Sequence, residues 1–435
     1  MASAEPSAPS VPRTTTRRAW IDLAKGAAIV MVVAYHAQLF LEAEGVAEPL
    51  GRARAALELY PMPAFFLLAG LLQRRLRTSP WALVWRRRVL PFLYLYVVWS
   101  LVRFAFFSAL PGVRTDGPPD SGRDWTLLLL APLVPTSVYW FLWATAVVTA
   151  VTWLFRRRPR AYLVGTGVVS GLVASGLVST GAESVDRTLE YAFAFAVGVH
   201  AGPLVQRLVE RATPRRAVAW AALAVVVMVV LAALPLLRRV PGTVLAGQLV
   251  VVLAVLRLAA VVGPRPGTRW LAALGRQSLP LYLLHLYPVA LLTIGLRHVD
   301  ALRGVPPRGL PVVLLVAAAA LAVALPVARA VPTGWRLFQP PLALVRTRAA
   351  VADPLAPDVA APRPPALDGS TPPPTAASPV VAATASPAGT TVPGTTVRGT
   401  ADPPDAPAAP APVTPADAAG RVRTRPASGP LREMP

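Results

Sequence analysis

The sequence predicts an all-α fold, a polytopic membrane helix bundle of about ten transmembrane helices followed by a disordered C-terminal tail. Three observations carry that prediction. Hydrophobic residues make up 54% of the 435 and charged residues only 15%, well under the roughly 25% charged share of soluble domains. Apolar stretches of about 20 residues, the length that crosses a hydrocarbon core, recur along the chain. The arginines cluster between these stretches, so the net charge of +22 marks membrane-flanking loops rather than one basic face, and nucleic acid is not an expected partner. Cysteine is absent, which removes disulfides, thiolate metal sites and a cysteine nucleophile. No asparagine is present either, so there is no N-glycosylation acceptor. Scarce lysine and asparagine beside abundant alanine, arginine and proline point to a GC-rich bacterial genome.

In chain order, residues 1–17 are polar and expected to be disordered. The apolar run that follows is too long and too charged for a signal peptide and reads as a retained first span. Spans are expected near 20–41, 57–73, 89–110, 137–155, 161–180, 188–206, 217–237, 243–263, 277–296 and 309–331. The stretch 127–135 is apolar but too short to cross and reads as an interfacial or re-entrant piece. The membrane domain is therefore placed at 18–335. The arginine clusters at 74–77, 86–88, 156–160, 207–216 and 265–269 put both termini in the cytoplasm of a plasma-membrane protein, with Arg238–Arg239 and Arg297, Arg303 and Arg308 against the pattern. From 350 to 435 the chain runs in Pro, Ala, Thr and Val without helical periodicity, which predicts a disordered tail.

The first span, "WIDLAKGAAIVMVVAYHAQLF" (20–40), carries Asp22, Lys25 and His36. Lys25 is the only lysine in the chain. Eleven residues at 100° each bring Lys25 and His36 to within about 20° of one helix face, about 16.5 Å apart along the axis. Asp22 lies one turn before Lys25, where it can pair with the ammonium and lower its cost of burial. A lysine near an interface is also explained by snorkelling. An imidazole deep in the bilayer is expensive and marks a site.

The stretch "WIDLAKGAAIVMVVAYH" resembles the first-helix signature of the acyltransferase 3 family of integral membrane acyltransferases, in which a basic residue, ten residues and a histidine recur. "MPAFFLLAGLL" (62–72), "RRRVLPFLYLYVVWS" (86–100), "YWFLWA" (139–144) and "LGRQSLPLYLLH" (274–285) resemble further family motifs in the same order. The resemblance spans about residues 17–335 and is nearest to the fucose 4-O-acetylase-like subgroup. Two departures stand out. Ala69 occupies a position where many members carry serine, and Gln277 one where the subgroup often carries asparagine.

The resemblance implies an enzyme that moves an acyl group, most often acetyl, from cytoplasmic acyl-CoA to a hydroxyl of a cell-envelope glycan, glycolipid or related acceptor. No metal is implied. Beside it stands the physical reading of the residues. Lys25 with Arg86, Arg87 and Arg88 would bind the CoA phosphates, and His36 would serve as general base, an acyl-imidazole intermediate being the alternative. Ser278, Tyr282 and His285 fall on one helical stripe as acceptor-side or helper groups, or as ties between helices. Trp140 is a candidate sugar-stacking residue against the commoner interfacial aromatic. His200 and His298 lie near span ends. With no further catalytic domain expected after the spans, the membrane core must perform the whole reaction or pass its acyl group on. The competing class is a polytopic transporter or lipid-linked glycan flippase, against which no matching pair of interrupted helices is found in two halves. Oligomeric state is silent in the sequence.

Overall fold

The computed structural model describes residues 16–297, 310–330 and 336–341, apart from 115, 117–120, 134 and 136. The expected tail at 350–435, nearly all of the expected N-terminal segment, and His298, Arg303 and Arg308 lie outside the described residues. The described residues form helices and connections, with no strand among them. In order the α-helices are α1 (Thr16–Ala43), α2 (Arg52–Leu57), α3 (Pro61–Leu71), α4 (Trp81–Val84), α5 (Leu90–Ala109), α6 (Trp125–Leu130), α7 (Trp140–Leu154), α8 (Pro159–Ala174) and α9 (Glu183–His200). There follow α10 (Gly202–Glu210), α11 (Pro214–Ala233), α12 (Pro235–Arg238), α13 (Thr243–Val262), α14 (Arg269–Arg276), α15 (Ser278–Leu284), α16 (Leu286–Arg297) and α17 (Leu310–Ala330).

Local chemistry sets many of the ends. Proline opens α3, α8 and α11, where its missing N–H costs nothing. Thr213 and Asp124 cap α11 and α6 by accepting backbone N–H bonds from Arg216 and Thr126. Gly263, at φ 60°, ends α13 in a backbone region that side chains disfavour.

Among the described residues the helices do not confirm a count of about ten spans. Five are long and apolar enough to cross a membrane: Ala19–Ala43, Trp81–Ala109, Pro214–Ala233, Thr243–Val262 and Leu310–Ala330. Two bent pairs, α9 with α10 at 78° and α15 with α16 at 43°, raise the number to seven. The segments expected at 57–73, 137–155 and 161–180 are helical but only 11, 15 and 16 residues long. Their apolar runs continue into turns: α3 cannot begin before Pro61 and passes into a 3₁₀ turn at Arg74–Arg77, and α8 stops at Ser175 and Gly176. The expected interfacial piece at 127–135 contains α6, whose Leu129 and Leu130 are exposed.

Helix α1 is the hub, packing against α3 and α13 on one side and α14 to α17 on the other. Two contacts are so close that only glycine fits. A Cβ at Gly26 would overlap the Leu271 carbonyl, and one at Gly275 would overlap that of Asp22, so α1 and α14 meet backbone to backbone. Gly70 of α3 and Gly198 of α9 make the same kind of contact. By contrast α11 leaves Val218, Val225, Val226 and Val229 exposed, and α17 leaves Leu314, Leu315 and Val323 exposed. Apolar side chains facing outward along a whole helix are what a hydrocarbon surround requires.

The connections alternate between two ends of the bundle. Glu58 and Leu59 between α1 and α3, Ser179 and Gly181 between α8 and α9, and Arg238 before α13 meet around one cleft. Arg74, beyond the other end of α3, hydrogen-bonds Gln206 of α10.

Candidate active site

Two imidazoles meet in the core. His36 of α1 and His285, at the bend between α15 and α16, lie edge to face with ring centroids 4.9 Å apart and planes at 69°. His285 is fully buried. His36 Nδ1 lies 2.8 Å from the Val32 carbonyl, and His285 Nδ1 lies 2.7 Å from that of Tyr282. A carbonyl only accepts, so each Nδ1 carries a proton and donates it, and in the neutral ring Nε2 is then the nitrogen with the lone pair. The Nε2 of His285 is buried without a partner. Both rings are therefore held by the backbone in the tautomer that presents a basic nitrogen.

A chain of hydrogen bonds reaches this pair from a buried ion pair. Arg103 of α5 is 5% exposed, and its Nε donates to Asp116 Oδ1 at 2.5 Å. The other carboxylate oxygen of Asp116 accepts from the backbone N–H of Val138 at 2.9 Å. The Val138 carbonyl accepts from the Tyr282 hydroxyl, and the Tyr282 carbonyl accepts from His285. Tyr139 adds a second brace, its hydroxyl lying 2.9 Å from both the Leu283 carbonyl and the Tyr287 hydroxyl. Arg103 also donates to the Ser121 hydroxyl at 3.2 Å, so the guanidinium is satisfied as well as paired.

Lys25 and Asp22 form the ion pair that their spacing predicts, at 3.7 Å with each side chain 22% exposed. Tyr60 of the next connection donates to the Ala24 carbonyl at 2.8 Å, tying this turn of α1 to α3. Since Gly275 abuts Asp22, the exposed Arg276 that follows it ends α14 beside the same turn. Arg86, Arg87 and Arg88 occupy a π-helical turn, Trp85–Val89, which packs against α5 and α7. Ser278 is buried at the start of α15. Trp140 lies among Phe66 and Tyr191, with centroids 6.1 and 6.2 Å away, so its ring is engaged within the aromatic packing. His200 packs edge-on to Tyr162 at 5.8 Å, away from the pair.

The structure thus joins His36 with Tyr282 and His285, places Lys25 further along the same helix, and sets Arg86–Arg88 in a turn that packs against α5 and α7. It also brings in groups that sequence reading missed: Arg103, Asp116 and Tyr139 around the pair, and Glu190 with Gln248, hydrogen-bonded at 2.6 Å, in the cleft that Glu58 lines. Three of these, Arg103, Glu190 and Gln248, are polar residues inside expected spans, the same signal that singles out Lys25 and His36. Among the described residues no cluster of three or more His, Cys, Asp or Glu side chains is placed to hold a metal ion.

Outward-facing apolar helices around a buried, tautomer-fixed imidazole pair define a polytopic helical membrane protein with a polar site in its core. The model of the acyltransferase 3 family, described as an acyltransferase domain, matches residues 18–329. The chain belongs to that family and is a membrane acyltransferase by membership. No curated protein and no solved structure matches it.

Proposed function

We propose that the protein is an O-acyltransferase of the cell membrane, closest in kind to the fucose 4-O-acetylase-like subgroup. It moves an acyl group, acetyl in the first instance, from cytoplasmic acyl-CoA to a hydroxyl of an envelope glycan or glycolipid. The observation that carries this reading is the His36–His285 pair, two imidazoles in ring contact, each held through Nδ1 by a backbone carbonyl, inside a domain of the acyltransferase 3 family. His36 removes the hydroxyl proton as oxygen attacks the thioester carbon, and the C–S bond breaks to release CoA thiolate, which takes up a proton. His285 stands against the ring that becomes positively charged and positions it. Lys25, about 16.5 Å along the same face, meets the phosphate end of CoA, whose long pantetheine arm spans that distance. Arg86, Arg87 and Arg88 contribute to the positive potential at the same membrane face. Both termini are cytoplasmic in this orientation.

The test is CoA release by purified, detergent-solubilised protein with acetyl-CoA and a pool of envelope glycans. Wild type releases CoA, His36→Ala abolishes release, and Lys25→Ala raises the apparent KM for acetyl-CoA. If wild type neither binds nor turns over acyl-CoA, the proposal fails and the transporter reading takes its place.

A further inference from the structure

At the end of the bundle where the α1–α3, α8–α9 and α11–α13 connections meet, a cleft encloses about 370 Å³. That volume falls within the roughly 300–1,000 Å³ of small-ligand sites. Gln248 of α13 lines it and is 2% exposed. Its Nε2 donates to Glu190 Oε1 at 2.6 Å, while its Oε1 is buried with no partner. A buried amide oxygen left unpaired costs about 1–3 kcal/mol unless something donates to it. The lining also holds Glu58 and Arg187, paired at 3.6 Å, with Arg238 at 4.0 Å from Glu58.

A relay of side chains leads from the cleft to the histidine pair. Glu58 binds Arg54 at 3.0 Å, Arg54 lies over the Tyr35 ring at 5.6 Å, and Tyr35 meets His36 edge-on at 5.8 Å.

We propose that this cleft is the acceptor site and that it takes a neutral, hydroxyl-rich ring, one uncharged hexose unit of the glycan. The assignment rests on the acyltransferase reading above and adds to it where the acceptor binds and what charge it bears. A hydroxyl both donates and accepts, so a polyol satisfies the Gln248 oxygen and the carboxylates with its protons and the guanidinium groups with its lone pairs. An ammonium satisfies only the first set. An acidic sugar meets four carboxylates against two arginines in the lining and is repelled.

The test uses full-length protein in detergent and titrates methyl glucoside, methyl galactoside and methyl mannoside, with methyl glucuronide as the anionic comparator. Two variants are compared with wild type, each checked for a monodisperse, folded state. Gln248→Leu removes the unpaired acceptor. Ala174→Phe, at a partly exposed lining position, fills the cleft and leaves every polar group in place. At least one neutral hexoside binds, the glucuronide binds about tenfold more weakly or not at all, and both variants weaken the neutral sugar by about tenfold or more, the worth of one lost buried hydrogen bond. Failure of every neutral hexoside to bind overturns the proposal. So does unchanged binding in both variants, or preference for the glucuronide. CoA release measured in parallel separates the two claims. Hexoside binding that follows this pattern without acyl-CoA turnover overturns the transferase reading, and with it the cleft's role as acceptor site, and leaves only a neutral-hexose binding site. Turnover with glycan but no cleft-dependent binding overturns the acceptor site alone.

Discussion

Asp116→Ala tests the buried ion pair where the outcome is easiest to read. The Asp116 side chain is 1% exposed and answers two donors, the Arg103 guanidinium at 2.5 Å and the Val138 N–H at 2.9 Å. Truncation strands a buried charge, which costs about 3–5 kcal/mol, and leaves a backbone donor unpaired for about 1–3 kcal/mol more. Arg103 keeps its contacts with Ser121, which pulls the total toward the lower end, about 4 kcal/mol. Replacing both partners with apolar groups, Arg103→Met with Asp116→Leu, removes the stranded charge and should cost only about 1–3 kcal/mol for the unpaired Val138 N–H. Equilibrium unfolding in mixed micelles measures the singles and the double, and their non-additivity is the quantity of interest. Because Val138 holds Tyr282, and Tyr282 holds His285, kcat should fall in Asp116→Ala while the KM for acyl-CoA moves little. A single-variant cost under about 1 kcal/mol, or a double as unstable as the sum of the singles, would refute the reasoning.

Four other outcomes follow from the same geometry. His36→Ala should lower kcat by about 10²- to 10⁴-fold, the range for a lost general base, measured by CoA release. The base works as the neutral imidazole, so kcat/KM should rise with pH at unit slope until His36 has lost its proton and then level off, and His36→Ala should lose that limb. Lys25→Gln should raise the KM for acyl-CoA by about tenfold to a hundredfold, the worth of a charge-assisted contact, and flatten the salt dependence of KM. Gly275→Ala should cost about 1–3 kcal/mol, because its Cβ overlaps the Asp22 carbonyl, whereas Gly295→Ala, with open space at its Cβ, should be neutral or stabilising in unfolding measurements.

The site residues that could be read from sequence were those whose chemistry conflicts with their surroundings. Asp22, Lys25 and His36 stand out in an apolar run, and the i,i+3 spacing of Asp22 and Lys25 translates directly into an ion pair. His285 is equally visible, but that it meets His36 is a tertiary fact: residues 249 positions apart are joined only once α1 and the α15–α16 bend are packed together. Arg103, Glu190 and Gln248 carry the same warning as Lys25, being polar within apolar segments, and were readable on the same criterion. Asp116 was not, since an acidic residue in a connection is ordinarily solvated and its partner is set by how that connection folds back over α5. Span lengths were overread because hydropathy continues through turns that proline, glycine and 3₁₀ geometry impose on the backbone.

Gly26 sits flush against α14, so the start of α1 cannot turn about its own axis, while His36 ten residues on must face His285. One residue inserted between them would advance His36 by only about 1.5 Å but swing it through about 100°. A deletion would swing it as far the other way. Homologous chains should therefore keep the number of residues between positions 26 and 36 fixed even where buried side chains such as Ile29 and Val33 exchange for others of similar volume, so that gaps in this family's alignments gather in the connections and spare this stretch of the first helix.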